Sequence, residues 1–369
     1  MINKVIDFKK SKEKLINKKF PNVSPISNNV KDTINLESNK AFEKFQTIFF
    51  EYQECLANPK NNKNIKLEEV LLYFNRYFEE IYKLFSNFSD DKVKKFKEAL
   101  DYAMLSSGKR IRPFLMFVTY NFFEGKNPML IAPLMVSMEL IHTFSLVHDD
   151  LPCMDNDELR RGKPTVWKKY GEDVAVLVGD ALLMQSMSIM LDSIFEFAYT
   201  DIGSFVITST NIMTKLAGLE GMITGQVFDV MNTGNQNLTI SDIVYMYDKK
   251  TTALLTASMM VGANMAITKN EQLMDIERLG ILLGESYQIK DDLLEFESST
   301  EVIGKSVDSD KKNGKITYVS KVGINNARKR LDYLFYNSIA VIDKLTNANN
   351  YKEALVYKEL IKFLIRREK

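Results

Sequence analysis

Two cysteines, two histidines and a single tryptophan stand in a chain of 369 residues. Cys55 and Cys153 cannot form a disulfide framework, which suits a reducing compartment and predicts a cytoplasmic protein. Nor can two cysteines and two histidines so placed build a zinc site. An excess of one charge sign is missing too. The chain has 49 basic and 48 acidic residues, so no global field draws it to nucleic acid or to an anionic membrane. Long apolar runs are scarce. The most apolar stretch, Thr251–Ile267, is broken by Thr, Ser, Gly and Asn and is short for a bilayer, which predicts a buried helix and no membrane span. The N-terminus lacks the apolar core of a secretory signal. Its first twenty residues hold seven lysines and two acids but no arginine. A transit segment to a plastid-type organelle or a mitochondrion is therefore the alternative to the cytoplasm.

What the sequence does have is helical periodicity. Residues 1–40 are rich in Lys, Asn and Ser, carry no apolar stripe, and read as a flexible extension that could be a targeting segment or a dimer arm. Phe42, Phe45, Phe49, Tyr52 and Leu56 then recur at helical spacing, so residues 41–66 are expected to be an additional amphipathic helix and its linker. A second stripe begins at Leu67, and residues 67–369 read as one helical domain. Alternating, strand-like patterns are rare after residue 90. The spacing predicts an all-α domain of roughly ten helices, each longer than the average of about twelve residues.

Two acidic clusters stand out from the neutral background. In "LVHDDLPCMDNDELRRGKPT" five acids are followed at once by three cations. Asp149, Asp150 and Asp155 stand at i, i+1 and i+6, so on a straight helix Asp155 would face away from Asp149. Pro152 disfavours helix at Leu151 and breaks the hydrogen-bond ladder, which lets the chain leave the helix and return Asp155 as a loop ligand. His142, Ser145 and Asp149 form a polar stripe upstream. In "YQIKDDLLE" Asp291 and Glu295 lie one turn apart on one face, beside Asp292. A solvated surface is the bland alternative for such an acidic trio. The apolar neighbours Ile289, Leu293, Leu294 and Phe296 argue instead for a cavity or a cation, and hard oxygen donors suit magnesium. The cations Arg160, Arg161 and Lys163, with Lys109, Arg110 and Arg112 in "SGKRIRP", suit phosphate oxygens. Together they point to a metal-bound diphosphate on a molecule whose other end is apolar.

At these residues the chain resembles the trans-isoprenyl diphosphate synthases, the family that makes farnesyl and geranylgeranyl diphosphates, in its bacterial and plastid-type branch. The likeness covers about residues 67–369 and keeps the family's motif order: "GKRIRP", the first aspartate motif, "GDALL", "GQVFD", "KKTTALL", "YQIKDDLLE" and "GKSVDSDKKNGKITY". It implies one bundle of long helices around a deep central cavity, usually paired as a homodimer. It also implies that Asp149, Asp150, Asp155, Asp291, Asp292 and Glu295 bind Mg2+, about three ions per site, with Mn2+ as a substitute. Glu295 departs from the family's third aspartate. By the same likeness Lys109, Arg112, His142 and Arg161 bind isopentenyl diphosphate, and Arg160 holds the allylic diphosphate (dimethylallyl, geranyl or farnesyl). Lys250, Thr251 and Gln288 face the developing cation, while Lys305 and Lys315 close over the leaving group. Phe144 lies about 7.5 Å along the helix from Asp149. With Ser145 it implies a floor that stops growth at fifteen carbons, so farnesyl diphosphate is the expected main product and geranylgeranyl diphosphate the runner-up. A terpene cyclase or a non-catalytic partner subunit are the rivals from other classes.

Overall fold

The structure, a computed structural model of the chain, describes residues 37–58, 65–86, 88, 90–106, 108–301 and 316–366. Lys305 and Lys315, and the flexibility expected of most of the N-terminal extension, lie outside the described residues.

Among the described residues there are fifteen α-helices and one two-stranded ribbon. The first helices are α1 (Glu37–Ala57), α2 (Leu67–Phe85), α3 (Lys94–Leu105), α4 (Ile111–Phe122) and α5 (Ala132–Asp149). The ribbon β1 (Leu159–Arg160) and β2 (Lys163–Pro164) follows, then α6 (Val166–Tyr170), α7 (Glu172–Phe197), α8 (Gly203–Ala217), α9 (Met222–Met231) and α10 (Ile240–Tyr247). A π-turn, Asp248–Thr252, leads into α11 (Ala253–Met265) and α12 (Asn270–Glu301). Last come α13 (Tyr318–Val322), α14 (Ile324–Leu345) and α15 (Tyr351–Arg366).

The all-α bundle is the expected architecture, but the helix lengths are not uniform. Helices α6 and α13 have five residues each, α10 has eight and α9 has ten. Local stop and start signals cut them short: Gly171 with φ 110° between α6 and α7, and a Thr239–Asp242 capping box that opens α10. These short pieces are the ones that jog the chain around the clefts described below.

Helix α11 lies at the centre. It is apolar on every face, and all of its residues except Met260 are buried against α4, α8 and α12. Helix α5 is equally apolar and runs along α7. Among the described residues helix α7, and not the stretch in α11, is long and apolar enough to cross a bilayer by length and composition alone, a test that core helices also pass. Gly179, Asp180, Gln185 and Ser186 interrupt its middle. One side packs on α5, and the other leaves Leu177, Met184, Leu191 and Phe195 more than half exposed.

Helix α1 begins at Glu37, inside the segment read as an extension, and is built into the same core as the rest. Phe45 and Phe49 meet Phe117 edge-on at 4.9 and 5.4 Å between ring centroids, and Phe45 stacks on Tyr77. At its far end Gln53 donates to Glu353 of α15 at 3.2 Å.

Candidate active site

Helix α5 carries a polar stripe out of the core and stops where Pro152 requires. Its last residue is Asp149, and the chain then turns so that Asp155 N–H donates to the Asp149 carbonyl at 2.9 Å. That bond brings the Asp155 backbone back to the end of α5. Asp149 itself is partly buried, and burial raises its carboxyl to about 6. Lys250 and Arg160 pull it down, while Asp155 and Asp150 push it up. Asp150 is buried and receives Arg160 Nε at 2.7 Å and Nη2 at 2.6 Å.

Five residues on, the ribbon separates the two arginines. Arg160 pairs with Lys163 across a two-residue loop, Arg161-Gly162, with φ of 53° and 75°. Positive φ at both central positions is the mirror-image hairpin turn that matches strand twist. It gives neighbouring cations different partners within one cleft. Arg160 goes to Asp150, while an Arg161 nitrogen lies 2.5 Å from where a Gly108 side chain would begin, beside the "GKRIRP" segment.

There Arg110, in a left-handed conformation (φ 47°), starts α4 and forms a buried ion pair with Glu139 of α5 at 2.7 Å. Arg112 donates to His142 Nε2 at 3.2 Å. Because a guanidinium only donates, Nε2 is the acceptor and the ring is neutral. Consistently, burial and then the charges of Arg112, Arg161, Arg110 and Arg160 hold His142 well below its ordinary value. One acid, Glu139, thus stands among three guanidiniums. Arg112 Nε and Glu139 Oε2 are buried without a hydrogen-bond partner among the described residues. Such orphaned atoms mark a place where a ligand or water completes the network. An open cleft of about 540 Å³ is lined here by Arg110, Glu139, His142, Asp150, Arg160 and Arg161.

A second cleft, about 650 Å³, is lined by Asp229, Tyr247, Lys250, Thr251, Gln288 and Asp292. Lys250 Nζ bonds Asp229 Oδ2 at 2.6 Å, and the Thr251 hydroxyl donates to Gln288 Oε1 at 3.0 Å. Asp292 accepts from the Tyr247 hydroxyl at 2.5 Å and from Tyr318 N–H at 3.1 Å. Burial still raises its carboxyl to about 6, against the lowering by these bonds and with Asp291 adding repulsion.

The clefts do not gather every residue named from the sequence. The exposed Lys109 ammonium lies over the Phe363 ring of α15, 5.3 Å from its centroid. Asp149, Asp155 and Arg112 line neither cleft, and nor do Asp291 and Glu295, half-buried on α12. Ser145 donates to its own helix at the His142 carbonyl. Phe144 is buried edge-on to His148, at 6.0 Å. Read from the sequence, Glu139, Asp229, Tyr247 and Tyr318 have no role, and Arg110 has a phosphate contact in place of the buried pair with Glu139. The signals were an acid alone in the apolar α5 and the last residue of "GQVFD".

Among the described residues no three His, Cys, Asp or Glu side chains converge closely enough to hold a metal by themselves. The donor set still fits magnesium. Its oxygens are hard, and the ion is usually held by one or two carboxylates with phosphate and water completing the shell. Burial and then the repulsion of Asp155 and Asp150 raise Asp149, and a bound cation would relieve that repulsion.

An all-α bundle with two polar clefts beside an apolar core is the isoprenoid synthase fold. Residues 93–356 match the polyprenyl synthetase family, and the chain belongs to it. It is 38% identical over 239 residues to a farnesyl diphosphate synthase of Geobacillus stearothermophilus, covering 65% of this chain and 79% of that one. It is 36% identical to a chloroplastic geranylgeranyl pyrophosphate synthase of Catharanthus roseus, covering 76% and 72%. The apo structure of an FPP/GFPP synthase from Zymomonas mobilis superimposes with a TM-score of 0.67 at 28% identity, covering 79% of this chain and 98% of that one. Helices α1 and α2 precede the matched span.

Proposed function

We propose that this chain is a short-chain prenyltransferase. It joins isopentenyl diphosphate to dimethylallyl or geranyl diphosphate, releases diphosphate, and makes mainly farnesyl diphosphate. The observation that carries this reading is the sorting of charge: the hairpin turn places Arg161 with Arg112 and His142, and Arg160 with the acids. Two anionic substrates would thus be held apart at their heads.

Magnesium, when bound, would neutralise the departing diphosphate and favour ionisation of the allylic carbon–oxygen bond. Asp149, Asp150, Asp155, Asp291, Asp292 and Glu295 would hold it, with Arg160 and Tyr247 fixing the positions of Asp150 and Asp292. Lys250, Thr251 and Gln288 would face the cation with fixed dipoles and charge at the allylic cleft. The neutral His142, fixed by Arg112, would bind isopentenyl diphosphate without taking the proton that carbon–carbon bond formation releases. That proton is left to the departing diphosphate.

Phe144 supports a fifteen-carbon limit. Its ring is held against His148, whose Nε2 is in turn 3.0 Å from the Val176 carbonyl of α7. A twenty-carbon product is the second reading, favoured by the likeness to the Catharanthus protein. The deciding experiment supplies the purified chain with isopentenyl diphosphate, each allylic primer and Mg2+, and resolves the products by length. Farnesyl diphosphate from the natural chain, and a ladder moved to longer products in Phe144→Ala, are expected. An unchanged ladder would remove Phe144 as the floor. Hydrocarbon would reveal a cyclase, and no product a non-catalytic subunit.

We also propose a homodimer that covers the exposed apolar face of α7. Leu177, Met184, Leu191 and Phe195 fall on one stripe, too apolar to leave in water. Met184→Glu with Leu191→Glu should halve the mass seen by sedimentation; an unchanged dimer would place the interface elsewhere.

A further inference from the structure

The chain leaves α-helical geometry at Asp248–Thr252, where Ala253 N–H donates five residues back to the Asp248 carbonyl. A π-turn of this kind is unfavourable alone and persists where its surroundings dictate it. Here two glycines from two helices press on it. A Cβ on Gly225 of α9 would lie 2.2 Å from Lys250 N and 2.6 Å from Lys249 C, both backbone atoms that no side-chain rotation can move away. A Cβ on Gly284 of α12 would lie 2.3 Å from Thr252 Oγ1 and 2.6 Å from Thr252 Cα.

Helix α12 then continues the same ridge in steps of four. Gly280 lies against Thr256 and Gly284 against Thr252. Gln288 bonds Thr251, and Asp292 bonds Tyr247. Gly284 sets how closely the π-turn approaches α12, and the polar half, Gln288 and Asp292, depends on that distance; Gly280 packs on Thr256, one turn beyond it.

We propose that Gly225 and Gly284 are positioning residues: they clamp the π-turn so that Lys250, Thr251 and Gln288 meet the allylic end of the substrate at fixed distances. The proposal rests on the role given above to those three residues. A methyl group at either glycine would push the turn by about 1 Å to reach normal carbon–carbon contact. The 3.0 Å bond between Thr251 and Gln288 does not survive such a shift.

Gly280 supplies the control. A Cβ there would lie 2.6 Å from Thr256 Oγ1 and 2.7 Å from Thr256 Cα, the same crowding one turn further from Gln288. Gly225→Ala, Gly284→Ala and Gly280→Ala are made in the full chain and compared for Tm, kcat, KM for isopentenyl diphosphate and release of prenyl alcohol. Gly225→Ala and Gly284→Ala should lose about 10²-fold in kcat. Their KM for isopentenyl diphosphate should hold, and more allylic cation should be lost to water. Gly280→Ala should show a similar drop in Tm with kcat within about threefold of the natural chain. Equal losses of kcat in Gly280→Ala and Gly284→Ala at equal Tm would reduce the clamp to ordinary packing and overturn the proposal. Should Gly284→Ala not fold, Gly225→Ala decides by the same readouts from the other helix. A natural chain that makes no prenyl diphosphate would instead refute the underlying reading of the site.

Discussion

An Asp149→Ala chain should lose at least about 10³-fold in kcat and yet, without metal, be no less stable at pH 7.5 than the natural protein. The first half follows from the place of Asp149, at the end of α5 where the Asp155 loop folds back onto it. Removing a ligand that helps neutralise the leaving group withdraws several kcal/mol from the transition state. The second half follows from its carboxyl, raised by burial from 3.8 to about 6. Between those values the folded chain binds more protons than the unfolded one, so stability falls as pH rises through that window. At pH 7.5 the ionised Asp149 therefore costs stability, by up to about 3 kcal/mol for a shift of this size. Alanine removes that cost, and its advantage should vanish once the pH falls below the unfolded value of 3.8, where Asp149 is protonated in both states. Metal reverses the sign by favouring the ionised form. The Tm gain from Mg2+ with inorganic diphosphate should be larger at pH 7.5 than at pH 5.5, and nearly absent in Asp149→Ala. A fully active Asp149→Ala chain would sink the metal assignment.

How far these features could be read in advance depends on whether they are local. Pro152 after two aspartates dictates the helix end and the return of Asp155 through rules of neighbouring residues, and the structure follows them. The apolar period gave the bundle for the same reason. The hairpin that parts Arg160 from Arg161 was signalled only by Gly162, because both central φ values depend on a ribbon of two residues a side. The π-turn has no signal in "DKKTT" itself. It arises where Gly225 and Gly284, distant in sequence, close on it. Asp150 and Asp292 read as ligands beside Asp149 and Asp291. Only the fold shows that Arg160 and Tyr247 already engage them. Helix α1 shows the reverse case. Its aromatic stripe was legible, but that Phe45 and Phe49 complete the core beside Phe117 was not.

Glu139→Ala should be the most destabilising single change in the diphosphate clefts, because it leaves Arg110 charged and buried. The two side chains are 5% and 4% exposed, and Arg110 also donates to the carbonyls of Met104 and Ser106, so its guanidinium cannot swing into water without unmaking the start of α4. Breaking such a pair costs about 3–5 kcal/mol, a fall in Tm of at least about 5 °C. The loss should be partly reversed by inorganic diphosphate, which would supply the missing negative charge to Arg110, Arg112 and Arg161 together. A paired change, Arg110→Met with Glu139→Leu, removes both charges and keeps apolar volume, so stability should return to within about 1 kcal/mol of the natural chain and Tm with it. Its kcat/KM for isopentenyl diphosphate should stay depressed, since Arg112 and His142 would lose the neighbour that shapes their cleft. Stability and binding would then separate along one contact. If Glu139→Ala proves as stable as the natural chain, the pair contributes no more than an exposed one. If the paired change restores kcat/KM as well as Tm, Arg110 acts through charge balance alone and has no part in ordering the site.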